Sequence, residues 1–145
     1  MVVWVFAGGG HAEVQGLVPF LNKHFNCQFE RKTTARWKPG PNAKAEQYGI
    51  TRQSLERQIK EQLRAALERG ETCDLILVID DLDCHDADQQ AGSFLAVIDS
   101  ILGDNSAERL VGFAAPELEA WIVADWDNTI AKHVDFRQNQ EAMKW

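Results

Sequence analysis

The acidic side chains most able to do chemistry fall in three groups, each behind an apolar run. Glu13 follows the run from Val2 to Ala7 and the glycines Gly8, Gly9 and Gly10. Asp80, Asp81, Asp83, Asp86 and Asp88 follow Leu75-Ile76-Leu77-Val78-Ile79, and Glu117 and Glu119 follow the run from Leu110 to Ala114. Carboxylates brought within a few ångströms repel one another, so some must protonate or share a cation. Mg2+ or Mn2+, held by a few carboxylates and several waters, resolves that repulsion at neutral pH. Such an ion can polarise a phosphoryl oxygen, activate water or orient a leaving group. The spacing Asp81-x-Asp83 lets two side chains reach one ion as the chain turns at a strand end; Asp80-x-x-Asp83 is the neighbouring choice. The plainer alternative is a solvated turn in which Asp86 or Asp88 caps the next helix. Glu13 has its own plain reading, a carboxylate favourably placed in the first turn of a helix.

Other motifs narrow the chemistry. The glycine run lacks the Lys-Ser/Thr of a Walker loop, and Glu13 takes the place of the third glycine of a dinucleotide fingerprint, where it would repel a pyrophosphate. Arg31, Lys32, Arg36, Trp37 and Lys38 interleave an aromatic ring with cations, as a single-strand contact surface would; a solvated basic loop is the alternative. His11 and His85 flank the acidic groups and could assist proton transfer. Cys84-His85 lacks two further ligands at zinc-finger spacing. A phosphoacceptor receiver domain needs a lysine directly after a late strand, where this chain reads Gly-Phe-Ala-Ala-Pro after Val111.

The charge is unevenly distributed. Residues 1–70 carry 11 Lys/Arg against 6 Asp/Glu, and residues 71–108 carry 10 Asp/Glu with no Lys or Arg. With a net charge of −7 the chain is no generic polyanion binder. A basic stretch beside a dense acidic one suits phosphate chemistry that recruits a divalent cation. The length, 145 residues, fits one domain, and the 45% apolar content excludes disorder. No apolar run reaches the roughly 18–20 residues of a membrane span, and the start lacks the flanks of a secretory signal. Three widely spaced cysteines, Cys27, Cys73 and Cys84, favour a reduced cytoplasmic setting.

These residues need elements to position them. Val2–Ala7 reads as a strand covered on both faces. A helix is expected from Ala12 to His24, with Pro19 kinking it or breaking its last turn, then a strand over Asn26–Arg31. The stretch from Thr33 to Ile50, interrupted by Pro39, Gly40, Pro41 and Gly49, reads as a functional flap. Leu55, Ile59, Leu63, Ala66 and Leu67 give a helix from Thr51 to Arg69, stopped by Gly70. A strand over Leu75–Ile79 and a helix over Ala87–Leu102 follow, the latter burying Phe94, Leu95, Ile98 and Leu102. Leu110–Ala114 is a strand, and Pro116 opens a helix over Glu117–Ala124. Alternating strands and helices imply an α/β fold, a parallel sheet of about four strands with helices on both faces. Ligands then gather at the carboxyl ends of the strands, which would bring the three acidic groups to one edge.

Strand-Gly-Gly-x-x-Glu-helix followed by apolar strand-Asp81-x-Asp83 resembles the TOPRIM domain of topoisomerases, DnaG-type primases and OLD-family nucleases. Pro116-Glu117-Leu118-Glu119-Ala120-Trp121-Ile122 is similar to a signature of small bacterial TOPRIM-like proteins of unknown function and of RloB-type proteins. The likeness covers residues 1–125 and leaves 126–145 as a polar tail that could be a truncated helix. It implies a Rossmann-like fold and Mg2+- or Mn2+-dependent phosphoryl transfer on nucleic acid, in phage defence or DNA maintenance. Glu13 would be the general acid/base, Asp81 and Asp83 the metal ligands, and Glu119 a further acidic residue. Asp80, Asp86 and Glu117 are secondary candidates for the metal. The lead-in Ala-Gly-Gly-Gly-His departs from the commoner Glu-Gly. A topoisomerase needs a nucleophilic tyrosine on a breakage domain, whereas Tyr48, the only tyrosine, falls in a loop. A nuclease-like phosphodiesterase is the leading expectation. A non-catalytic metal- or nucleotide-binding module of a larger complex is the alternative, and either could engage a partner protein or a second copy of the chain.

Overall fold

Two runs of alternating inward side chains on the central strands set the architecture of the computed structural model, which describes residues 1–8, 16–33, 52–82, 85–103 and 106–115. The element order is β1 (Val2–Ala7), α1 (Val18–His24), β2 (Gln28–Arg31), α2 (Arg52–Glu68), β3 (Leu75–Asp81), α3 (Ala87–Leu102) and β4 (Glu108–Ala114). The strands form one sheet in the order β2-β1-β3-β4, and every pairing is parallel. The fold is Rossmann-like α/β.

Successive side chains on a strand point to opposite faces, so each central strand feeds two cores. Trp4 and Phe6 of β1 and Ile76 and Val78 of β3 pack with Leu55, Ile59, Leu63 and Ala66 of α2 and with Phe94, Ile98 and Leu102 of α3. On the other face Val3, Val5, Leu77 and Ile79 meet Leu17, Val18 and Leu21 at α1. Burying such aliphatic and aromatic side chains contributes about 1.5–3 kcal/mol each. Helices therefore cover both faces. No helix among the described residues is long and apolar enough to cross a membrane.

α1 continues through Pro19 to His24, so its last turn is unbroken, and Pro19 lies in the first turn of that α-helical stretch; the start of the expected helix, residues 12–15, lies outside the described residues. A π-helical turn at Gly16 and Leu17 leads into α1. β2 begins at Gln28 rather than Asn26, whereas β3 runs on through Asp80 to Asp81 and β4 starts two residues early, at Glu108. The ladder explains the longer strands, since Asp81 pairs in register with Ala114 and Leu75 with Glu108. In α3 Leu95 is only half-buried and Gln90 is fully buried. Most of the flap from Thr33 to Ile50, the helix expected over Glu117–Ala124 and the tail 126–145 lie outside the described residues.

Candidate functional site

The strand order reverses direction between β1 and β3, and ligands of open parallel sheets bind outside the carboxyl ends at such a switch point. Backbone bonds hold the strand exits together there. Gly8 N–H donates to Ile79 O at 2.9 Å, and Leu82 N–H donates to Ala114 O at 2.9 Å, carrying the ladder past the end of β3. On the flank, Lys32 N–H donates to Val5 O at 2.9 Å. Glu13 is five residues beyond Gly8 in the chain, Asp83 two beyond Asp81, and Glu117 and Glu119 three and five beyond Ala114.

Asp80 and Asp81 occupy adjacent strand positions and hence opposite faces. Asp80 is 6% exposed, on the face covered by α2 and α3. Its Oδ2 accepts a 3.0 Å hydrogen bond from Nε2 of Gln90, which is itself 1% exposed. The other oxygen packs against Gly8: a Cβ at that position would overlap Asp80 Oδ1, lie 2.8 Å from its Cγ and 3.2 Å from Cδ2 of Leu55. Gly8 thus allows close approach of a carboxylate to the backbone, the sort of contact only glycine permits. Burying a carboxyl group is costly without hydrogen bonds, which accounts for a glutamine within the apolar stripe of α3. Gln90 Oε1 is buried with no hydrogen-bond partner among the described residues. Asp81, by contrast, is half-buried on the α1 face.

Asp86 caps α3, its side chain accepting from Gln89 N–H at 2.8 Å. The helix-cap alternative for this residue describes what it does. His85 is exposed, its N–H donating to Leu82 O at 2.8 Å. Among the basic candidates, Arg31 is exposed at the end of β2. Lys32 is engaged within the fold: its ammonium lies 2.7 Å from Glu71 and 3.1 Å from Glu30, and 4.5 Å from the centre of the Trp4 ring. Burial works against its charge, but the hydrogen bonds it donates to Glu71 and Glu30 hold its pKa above the ordinary lysine value. Glu13, Asp83, Glu117, Glu119, Arg36, Trp37 and Lys38 lie outside the described residues.

Among the described residues no group of three His, Cys, Asp or Glu side chains could hold a metal ion. A metal centre at this edge would therefore have to combine Asp81 with acids from the adjoining segments. Sequence reasoning missed Gln90 and the part played by Gly8. The signal was present for Gln90, which precedes Phe94 and Ile98 at helical spacing on the inward stripe. No protein-family model, curated protein or solved structure matches the chain, so the resemblance to TOPRIM domains rests on its motifs and their order.

Proposed function

We propose that the chain is a TOPRIM-like, divalent-metal-dependent phosphodiesterase acting on nucleic acid in the cytoplasm, in phage defence or DNA maintenance. The observation that carries this reading is the joining of the β1, β3 and β4 exits along the carboxyl edge of the sheet, through Gly8–Ile79 at the switch point and Leu82–Ala114 beside it. Each exit leads within five residues to one of the three acidic groups.

Asp81, Asp83 and Glu119 offer the hard oxygen donors that Mg2+ and Mn2+ take, so the donor chemistry fits either ion. When bound, the ion would supply Lewis-acid stabilisation of charge on the phosphoryl group. Glu13 would accept the proton of the attacking water. Asp80 would act from behind, bonded to Gln90 and seated against Gly8, fixing the backbone that presents Asp81. Arg31, Arg36, Trp37 and Lys38 would hold the strand, and Lys32 would anchor the start of their loop.

Incubating the purified protein with single- and double-stranded nucleic acid plus Mg2+ or Mn2+ tests the reading. Metal-dependent cleavage should be lost in Asp81→Asn and Glu13→Gln while circular dichroism stays unchanged. Metal binding with no turnover by the wild type would overturn it in favour of the non-catalytic module.

A further inference from the structure

Helix α2 carries its cations in a pattern that its packing does not use. Arg57, Lys60 and Arg64 are exposed and spaced three and four residues apart, on one face within an arc of about 60° and over about 10 Å of rise. With Glu61 they line a shallow, open depression. The opposite stripe of the helix, Leu55, Ile59, Leu63 and Ala66, is fully buried in the core. The contact of Leu55 with the Gly8 position places the first turns of α2 beside the β1 exit. The row of cations therefore begins near the candidate site and runs away from it.

We infer that the outward face of α2, through Arg57, Lys60 and Arg64, is a docking track for the phosphate backbone of a nucleic acid. The choice of nucleic acid rests on the proposed function, but the binding it calls for does not depend on catalysis. Charge complementarity selects the occupant, because a regular polyanion matches a regular row of cations. A folded protein partner would be expected to use apolar anchors as well. The exposed large apolar residues of the described chain, Met1, Phe20, Phe25 and Leu110, all lie on other elements. On a chain of net charge −7, such a stripe is where a polyanion is tolerated.

Glu61 sharpens the inference. Its carboxylate lies 2.7 Å from Arg57 Nε in a pair whose side chains are 74% and 53% exposed. An exposed pair of this kind is weak and screened by salt, so an incoming phosphate can replace the glutamate.

The test is fluorescence anisotropy of labelled single-stranded and duplex oligonucleotides in EDTA, between about 50 and 200 mM KCl. Relative to wild type, Lys60→Gln/Arg64→Gln should flatten the slope of log K against log salt by about 1–2 and weaken binding about tenfold at low salt. Glu61→Gln should tighten binding several-fold, a gain that a merely structural role does not give. All these variants should melt as the wild type does. An unchanged slope in the double variant, no gain in Glu61→Gln, or equal competition by polyglutamate of matched charge would overturn the inference. Absence of metal-dependent cleavage by the wild type, with these binding effects intact, would count against the proposed function and not against the track.

Discussion

Just ahead of the amino end of β3, Glu71 lies 2.6 Å from the Arg69 guanidinium and 2.7 Å from the Lys32 ammonium. Hydrogen bonds from Arg69 first, then Lys32, draw its carboxyl pKa down to about 2. At the carboxyl end of the same strand Asp80 is buried, with one oxygen on the neutral amide of Gln90 and the other against the bare backbone of Gly8. The first carboxylate is met by cations drawn from two distant parts of the chain. The second counts among its neighbours an amide dipole and the bare backbone of a glycine. No lysine or arginine occurs between residues 71 and 108, so the acids after β3 have no cation within their own segment. Among the described residues the amino end is thus closed by internal charge pairing, whereas at the carboxyl end a buried carboxylate meets a neutral amide and closely packed backbone.

The sharpest way to break this contrast is to add one methyl group at its tightest point. Gly8→Ala should cost about 1–3 kcal/mol in a urea melt, because the new Cβ needs the space of the Asp80 carboxylate. Asp80→Ala in the same chain should recover part of that loss, a coupling of about 0.5–3 kcal/mol. Additive effects would show that the two residues do not share the space. Gln90→Leu comes next, withdrawing one donor from Asp80 while also removing the buried Oε1. A loss of about 1–3 kcal/mol is expected, and a neutral result would mean that the amide bond contributes little.

At the other end the effect is smaller and depends on pH. The carboxyl pKa of Glu71 is depressed from 4.5, so its contribution to stability is full above 4.5 and fades as pH falls towards about 2. The difference in melting temperature between wild type and Glu71→Gln should therefore shrink over that window. A difference unchanged from pH 5 to pH 2 would show that the pairing does not favour the charged carboxylate.

Much of the fold was legible because local pattern and tertiary packing agree. Helix α3 runs over the expected Ala87–Leu102, with Asp86 as its cap and Gly103 accepting the positive φ that ends it. The stripe Leu55, Ile59, Leu63 and Ala66 is buried as its spacing requires, and the apolar run of β3 is a central strand. What local reading lacked was long-range information. The strand order is set by pairings between distant segments, and the partnership of Lys32 with Glu71 spans 39 residues. Lys32 therefore looked like part of a basic loop. In the sequence Gly8 is one of a glycine run, whereas its role is set by Asp80, a residue 72 positions later. Asp81 extends the strand beyond the expected end at Ile79, and the alternation set by the apolar run puts it on the face opposite Asp80. The acids beyond the described segments remain part of the proposal.

The most direct test of the central claim, that the carboxyl ends of β1, β3 and β4 gather acids around a divalent cation, is Mn2+ titration followed by amide NMR. Paramagnetic broadening should begin at Gly8 and Leu82, with Val2 and Glu71 at the opposite end of the sheet staying sharp. Broadening that starts around Asp74 and Glu71, or that is uniform over the acidic surface, would contradict the account.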